Sequence, residues 1–154
     1  MNRKVRLAAL VVIALALGSS ARAAELVLVG SSIDIDLKKI TGGRPLDTGR
    51  AELQALAAAI TDEYHRRGYT TSHVERVSVR ADGVVEAHVR ESRIVRVSVG
   101  GVGEREAAQI GAFLVPKTGE LYNRNILNGR MDAARGRFNL DSIVARPINY
   151  EGTG

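Results

Sequence analysis

An amphipathic helix that leads into a two-stranded hairpin constrains the fold of this chain most. Apolar residues recur at helical spacing along one side of the helix, namely Leu53, Leu56, Ala57, Ile60 and Tyr64. Arg66 and Arg67 fall in its last turn, where positive charge complements the helix dipole, and Gly68 can supply the left-handed residue that ends it. The pattern therefore predicts a helix that buries one face against another element.

Two segments with period-two alternation follow this helix. In the first, Val77 and Val79 alternate with polar residues, and the second repeats the alternation over residues 84–89. The dipeptide Asp82-Gly83 between them is a strong hairpin signal. The alternation predicts an antiparallel hairpin with one face on a core and the other in water.

Residues 24–93 form the predicted N-terminal domain. Residues 25–29 are a short apolar β-type run ahead of the amphipathic helix, and Ser32 can cap a short helix between the two. The predicted order is strand, helix, helix, strand, strand. This order predicts an α+β fold in which two helices cover one face of a three-stranded sheet.

Residues 94–154 repeat this order without its last strand. Residues 94–99 and 142–148 alternate as strands do, residues 104–114 can form a helix, and Asn123 can cap a further helix. The repeat, with a period of about 70 residues, predicts a second and truncated domain. We expect its unpaired edge to make it marginally stable unless another chain completes it.

Residues 1–23 are predicted to be a secretory signal peptide. Positive charges within residues 3–6 precede an apolar run from Leu7 to Leu17, and residues 21–23 place alanine at the two positions that signal peptidase reads. The run is shorter than the roughly 20 apolar residues that span a bilayer, so an uncleaved anchor is the weaker alternative. Cleavage would remove four of the 22 basic residues and none of the 17 acidic ones, which leaves a net charge of +1 instead of +5.

Composition excludes several classes of function. The chain has no cysteine, and so no disulfide, thiolate metal site or cysteine nucleophile. Aromatic residues make up only 4% of it, and the small charge of the mature chain does not favour nucleic-acid binding. Gly101 and Gly103 are followed by Glu106, where a dinucleotide loop needs its third glycine, and the three histidines match no metal-ligand spacing. We therefore expect no cofactor, no metal site and no enzymatic activity.

Several motifs in residues 43–99 point to a known family. In chain order they are Gly43-Arg44, the amphipathic helix, Arg67-Gly68-Tyr69, Thr71-Ser72 and the hairpin around Asp82-Gly83. This part of the chain resembles the POTRA (polypeptide-transport-associated) domains of two-partner secretion transporters, which export large haemolysins and adhesins. Further along, Gly119 and Leu121-Tyr122-Asn123 resemble part of a following POTRA repeat. Glu91-Ser92 departs from the Glu-Gly pair that is usual in the family.

The resemblance implies a periplasmic polypeptide-binding or docking module of outer-membrane protein transport (type V secretion, haemolysin activation/secretion family) in a Gram-negative bacterium. An extended or unfolded secreted polypeptide would add a strand to a free sheet edge, and an outer-membrane β-barrel is the other implied partner. By analogy with the family, the first hairpin strand is the free edge. The residues expected to bind polypeptide are Val74, Arg76, Val77, Ser78, Val79 and Arg80.

Three further expectations follow. The turn Arg67-Gly68-Tyr69 should determine the fold, because Gly68 reverses the chain and Tyr69 can anchor the next strand. A basic group is expected either to be solvated or to contact anionic lipid, and it comprises Lys117, Arg130, Arg135 and Arg137. An alternative function is that of an inactive N-terminal remnant of a transporter that has lost its β-barrel.

Overall fold

The computed structural model describes residues 24–148, and the predicted signal peptide lies outside them. The elements are β1 (Leu26–Val29), α1 (Leu37–Thr41), α2 (Arg50–Arg66), β2 (His73–Val79), β3 (Val85–Arg90), α3 (Glu104–Leu114) and α4 (Arg124–Phe138). Among these residues, none of the helices combines the length and the apolar character that crossing a bilayer would require.

The three strands form one mixed sheet in the order β1-β3-β2. Strand β1 runs parallel to β3, and β2 runs antiparallel to it through the predicted hairpin. The register of β2 shifts between Val74 and Arg76, so that Glu75 is an extra residue without a partner on β3. Because of this bulge, Val74 and Val77 both pack on the core although they lie three residues apart.

The core of this part lies between α2 and β3. Helix α2 contributes Leu56, Ile60 and Tyr64, which are all buried, as the helical spacing predicted. Strand β3 contributes its alternate residues, which are Val85, Ala87 and Val89. Ile35 and the apolar residues of α1 join the same cluster. The predicted α+β architecture, with a three-stranded sheet and packed helices, is therefore confirmed.

A second, smaller cluster holds α3 against α4. Its buried members are Ile110, Leu114 and Ala134, and the rings of Phe113 and Phe138 meet edge to face with centroids 5.8 Å apart. The Asn123 side chain accepts hydrogen bonds from the backbone amides of Asn125 and Ile126 in the first turn of α4, as its predicted capping role requires.

The prediction of two strands in the C-terminal part is wrong. Among the described residues, 94–99 and 142–148 are irregular and belong to no sheet. Arg93, directly before the first segment, forms an isolated antiparallel bridge with Leu121. Within the segment, the Ile94 amide donates to the Glu120 carbonyl at 2.9 Å and its carbonyl accepts from the Gly119 amide at 2.8 Å. Alternation alone does not make a strand, because a neighbouring strand must accept its backbone hydrogen bonds, and residues 24–148 provide none for these segments.

Ser32 is not the predicted helix cap. Asp36 caps α1 instead, with its carboxylate accepting from the Lys39 amide. Ser32 donates from both its amide and its hydroxyl to the Glu91 carboxylate, at 2.7 and 2.5 Å. Local spacing predicted that the Ser32 side chain would cap α1, but it binds a carboxylate 59 residues further along the chain instead.

Replacing Ile60 by alanine tests where the core lies. The side chain of Ile60 is fully buried, so Ile60→Ala should lower the free energy of unfolding by about 2–5 kcal/mol. Ile126→Ala is the matched control, because Ile126 lies in a helix but is 51% exposed, and it should cost less than about 0.5 kcal/mol. Urea unfolding followed by circular dichroism measures both, and equal losses would contradict this placement of the core.

Candidate polypeptide-binding edge

The predicted binding residues all lie on β2 or directly after it, at one edge of the sheet. Strand β3 covers one side of β2, and no described strand covers the other. The first hairpin strand is thus an edge strand, as expected. The partner of β3 on its far side is β1, which forms the second edge.

The hydrogen-bond pattern of the hairpin shows which backbone groups of β2 face outward. The Arg80 amide donates to the Val84 carbonyl at 2.8 Å, which makes Arg80 and Val84 a hydrogen-bonded pair. The Val85 amide points to the other neighbouring strand and donates to the Glu25 carbonyl at 2.7 Å. Since such pairs alternate along an antiparallel ladder, the amides and carbonyls of Val77 and Val79 point away from β3. These groups form the open part of the edge.

The start of the same edge is already occupied. The Val74 amide donates to the Thr61 hydroxyl of α2 at 3.0 Å. A helix side chain therefore satisfies the first outward donor of β2, and Val74 itself packs on the core. Thr61 was missed in the sequence, where it is one polar residue between the apolar positions Ile60 and Tyr64. The open edge is confined to the second half of β2.

The side chains of the open edge divide between the two faces of the sheet. Val77 packs on the core, whereas Val79 is 41% exposed beyond it. On the opposite face, the Arg80 guanidinium lies 2.9 Å from Asp82 and 3.5 Å from Glu86. Arg76 is exposed and makes no ion pair with a residue in the range 24–148.

The turn Arg67-Gly68-Tyr69 joins the two parts of the chain. Gly68 adopts a left-handed φ of +95°, and its carbonyl accepts from the Arg124 amide at 2.8 Å. The Asn123 side chain donates to the Arg67 carbonyl at 3.0 Å while it caps α4. The end of α2 and the start of α4 therefore meet at this turn, a contact that sequence spacing did not predict.

The other two side chains of the turn hold it against the N-terminal core. Arg67 donates to Glu63 at 2.6 Å and to the Asp34 carbonyl at 2.5 Å. The Tyr69 ring meets the Tyr64 ring edge to face, with centroids 6.1 Å apart. Hydrogen bonds from Arg66 and Arg67 lower the pKa of Glu63 below its ordinary value. The carboxylate form that pairs with both arginines is thereby favoured.

Glu91 is a second junction residue that sequence reasoning missed. Its side chain is only 4% exposed, and besides Ser32 it lies 3.3 Å from the Tyr64 hydroxyl and 3.4 Å from Arg93. Arg93 also donates to the Gly119 carbonyl at 3.0 Å, which links the network to the C-terminal part. Burial raises the pKa of Tyr64, and the charge of Glu91 adds to the rise, so the hydroxyl stays neutral. In the sequence, Glu91 was noted only as the first residue of the Glu91-Ser92 pair, and its contacts were not predicted.

The basic group predicted from the sequence is not one open patch. Arg130 pairs with Glu120 and donates to the Leu114 carbonyl. The Arg137 guanidinium lies over the rings of Phe113 and Phe138, 5.3 and 5.9 Å from their centroids. These contacts hold α3 and α4 together, and lipid contact by this group stays a prediction.

The histidines are dispersed. His65 lies 3.1 Å from the Ser72 carbonyl, and His88 lies 3.3 Å from Glu86 on the open face of the sheet. Within residues 24–148, no group of three or more histidine, aspartate or glutamate side chains could hold a metal ion. The described part of the chain therefore offers a backbone edge as its candidate site rather than a cluster of reactive side chains.

Comparison with known proteins shows the fold. No family model matches the sequence, and no curated protein matches it. Among solved structures, the chain is similar to CdiB from Escherichia coli, with a TM-score of 0.59 and 19% identity over 82% of this chain and 25% of that one. It is also similar to POTRA1-3 of the periplasmic domain of Omp85 from Anabaena, with a TM-score of 0.54 and 17% identity over 75% of this chain and 54% of that one.

The chain thus has a POTRA-like fold, and the resemblance predicted from its motifs is confirmed at that level. It spans a quarter of the CdiB chain and about half of the Omp85 chain. At such identities the likeness concerns the arrangement of helices and strands, so the activity has to be argued from the residues of this chain.

Replacing Gly68 by alanine tests the junction at the turn. A methyl group there would lie 2.5 Å from the Asn123 Oδ1 atom, in addition to the cost of a left-handed φ. Gly83→Ala is the matched control, because Gly83 also has a left-handed φ, of +86°, but no atom within 4 Å of the added methyl. The control should lose about 1–2 kcal/mol of stability, and Gly68→Ala should lose more.

Amide hydrogen exchange shows which part of the structure the Gly68→Ala substitution destabilises. In Gly68→Ala the amides at the start of α4 should exchange faster than in the control, because Asn123 loses its position as cap. Equal exchange at the start of α4 in both variants would show that Gly68 serves only its own turn.

Proposed function

We propose that this chain is a periplasmic module of outer-membrane protein transport that binds an extended polypeptide as an added strand on β2. The observation behind the proposal is the outward direction of the Val77 and Val79 backbone groups at the sheet edge. An unpaired amide and carbonyl at every second residue form a template for one more strand. An extended client strand can bind these amides and carbonyls at the same time.

The chemistry of this edge suits a client of varied sequence. Main-chain hydrogen bonds do not depend on which side chains the client carries. Selectivity would come from the flanking side chains, where exposed Val79 offers an apolar contact and unpaired Arg76 offers a positive charge. We expect a preference for unfolded segments that combine apolar and acidic residues.

The secretion system, the signal cleavage and the division into two domains are part of the same proposal. Two-partner secretion is the proposed system because residues 43–99 carry the motifs of that type of POTRA domain. Secretion with cleavage after Ala23, and two domains at residues 24–93 and 94–154, follow from the sequence pattern. The two separate apolar clusters support the division into two domains. Docking on an outer-membrane β-barrel is the second candidate role of the edge.

A proline at position 79 tests strand addition directly. Val79→Pro removes one outward donor and leaves the bonds to β3 in place, a substitution that edge strands tolerate. Val79→Ala is the matched control, because it shortens the side chain and keeps the amide. The probe is reduced, carboxymethylated α-lactalbumin, a permanently unfolded polypeptide, and its Kd is measured by fluorescence anisotropy. We expect Val79→Pro to weaken binding about tenfold or more and Val79→Ala to change it much less.

Site-resolved data separate this mechanism from its alternatives. On binding, the amide resonances of Val77 and Val79 should shift more than those of β1. Equal Kd values for the proline and alanine variants would contradict strand addition at β2. No measurable binding to the unmodified chain would instead favour the inactive remnant.

A further inference from the structure

Strand β1 forms the other edge of the sheet, and its outer side is uncovered among residues 24–148. Strand β3 is the only described element in extended contact with it. The Glu25 carbonyl accepts from β3, and the direction of the backbone groups alternates along a strand. The amides and carbonyls of Leu26 and Leu28 therefore point away from β3. These groups are available to a further strand.

Strand β1 carries none of the features that normally keep an edge strand from pairing. Its sequence is Leu-Val-Leu-Val, which contains no charge and no proline, and its ladder with β3 has no bulge. Leu26 and Leu28 pack on the core, whereas Val27 and Val29 are 38% and 37% exposed on the opposite face. Both faces of this edge are apolar, so its best match is another uncharged, apolar strand.

The edge of β2 is not suited to pairing with its own copy. Its outward groups belong to Val77 and Val79, so two copies would pair antiparallel about Ser78. That register places Arg76 of one copy directly opposite Arg80 of the other. Like charges that face each other across two strands destabilise a sheet, and self-association through β2 is therefore disfavoured.

Two copies of β1, in contrast, fit each other in one antiparallel register. Centred on Val27, this register pairs Leu26 of each copy with Leu28 of the other, so that their outward groups bond each other. The two Val27 side chains then lie side by side on the open face. Glu25, the charged residue directly before β1, falls opposite Val29 and not opposite its own copy. A two-fold axis closes the pair without opposing like charges.

We propose that the outer edge of β1 is a homodimer interface, at which two copies of this chain join their three-stranded sheets into one continuous sheet. The occupant is a second copy because β1 is complementary to itself. A four-residue strand buries less than the roughly 1,200–2,000 Å² of a stable interface, so the dimer is weak and reversible. The two β2 edges lie at the outer ends of the joined sheet and stay open.

The concentration dependence of β1 protection tests the interface. Analytical ultracentrifugation of the purified chain from about 10 µM to 1 mM gives the dimer Kd, and NMR gives amide exchange over the same range. We expect the average mass to rise with concentration while exchange at Leu26 and Leu28 slows and exchange at Val77 and Val79 does not change. A monomer throughout, or a dimer without protection of β1, would overturn the proposal. Protection of β1 that is independent of concentration would also overturn it, because a segment of the same chain would then cover this edge.

Charge substitutions at Val27 test the register. Val27→Lys places two positive charges opposite each other and should raise the dimer Kd about tenfold or more. Val79→Lys is the matched control, because Val79 is a valine of the other edge strand with a similar exposed fraction of 41%, and it should change the Kd less than about twofold. Equal Kd values for these two variants would overturn the β1 interface.

A charge-reversed pair of variants distinguishes a lost interface from a lost fold. Val27→Glu alone should weaken the dimer as Val27→Lys does, because like charges again face each other. An equimolar mixture of the two variants should associate at least as tightly as the unmodified chain, since opposite charges then meet at the two-fold axis. A mixture that does not associate would overturn the register centred on Val27.

Discussion

The fold of this chain depends on the burial of one central strand. Strand β3 pairs with a neighbour on each side and presents three buried side chains to α2. Both of its edges are used, so within residues 24–148 the outer strands β1 and β2 each have one edge without a neighbouring strand. The apolar contact of β3 with α2 fixes the register, because a shift by one residue would turn Val85 and Ala87 to solvent. The proposed binding edge is therefore a consequence of how the core is built.

The residues that follow α2 and β3 also hold the C-terminal part in position. The turn at Gly68 ends α2, starts the path to β2 and accepts a hydrogen bond from the first turn of α4. Glu91, at the end of β3, ties Ser32 to Arg93 through a nearly buried carboxylate. A buried carboxylate with several donors is costly to disturb, which makes this junction more rigid than a simple linker. The open edge of β2 is thus presented on a supported framework.

The local sequence pattern was sufficient to predict some helices and strands and insufficient to predict others. Helix α2 and the hairpin follow from periodicity and the Asp82-Gly83 turn, and Asn123 caps α4 as its side chain predicts. Residues 94–99 and 142–148 have strand periodicity but no strand, because pairing depends on a partner that local pattern does not report. In the candidate site, β2 was correctly predicted to be an edge strand. That a side chain of α2 occupies the start of this edge was not predicted. The hydrogen bond between Thr61 and Val74 joins two elements, and no spacing rule contains it.

The proposed function requires that the second half of β2 has an unpaired outer edge in the free protein. Amide hydrogen exchange of the unliganded chain, resolved by residue with NMR, measures this. We expect alternating protection, with slow exchange at Arg76 and Ser78, whose amides face β3, and fast exchange at Val77 and Val79. Slow exchange at all four amides would mean that another segment already covers this edge, and strand addition there would be excluded.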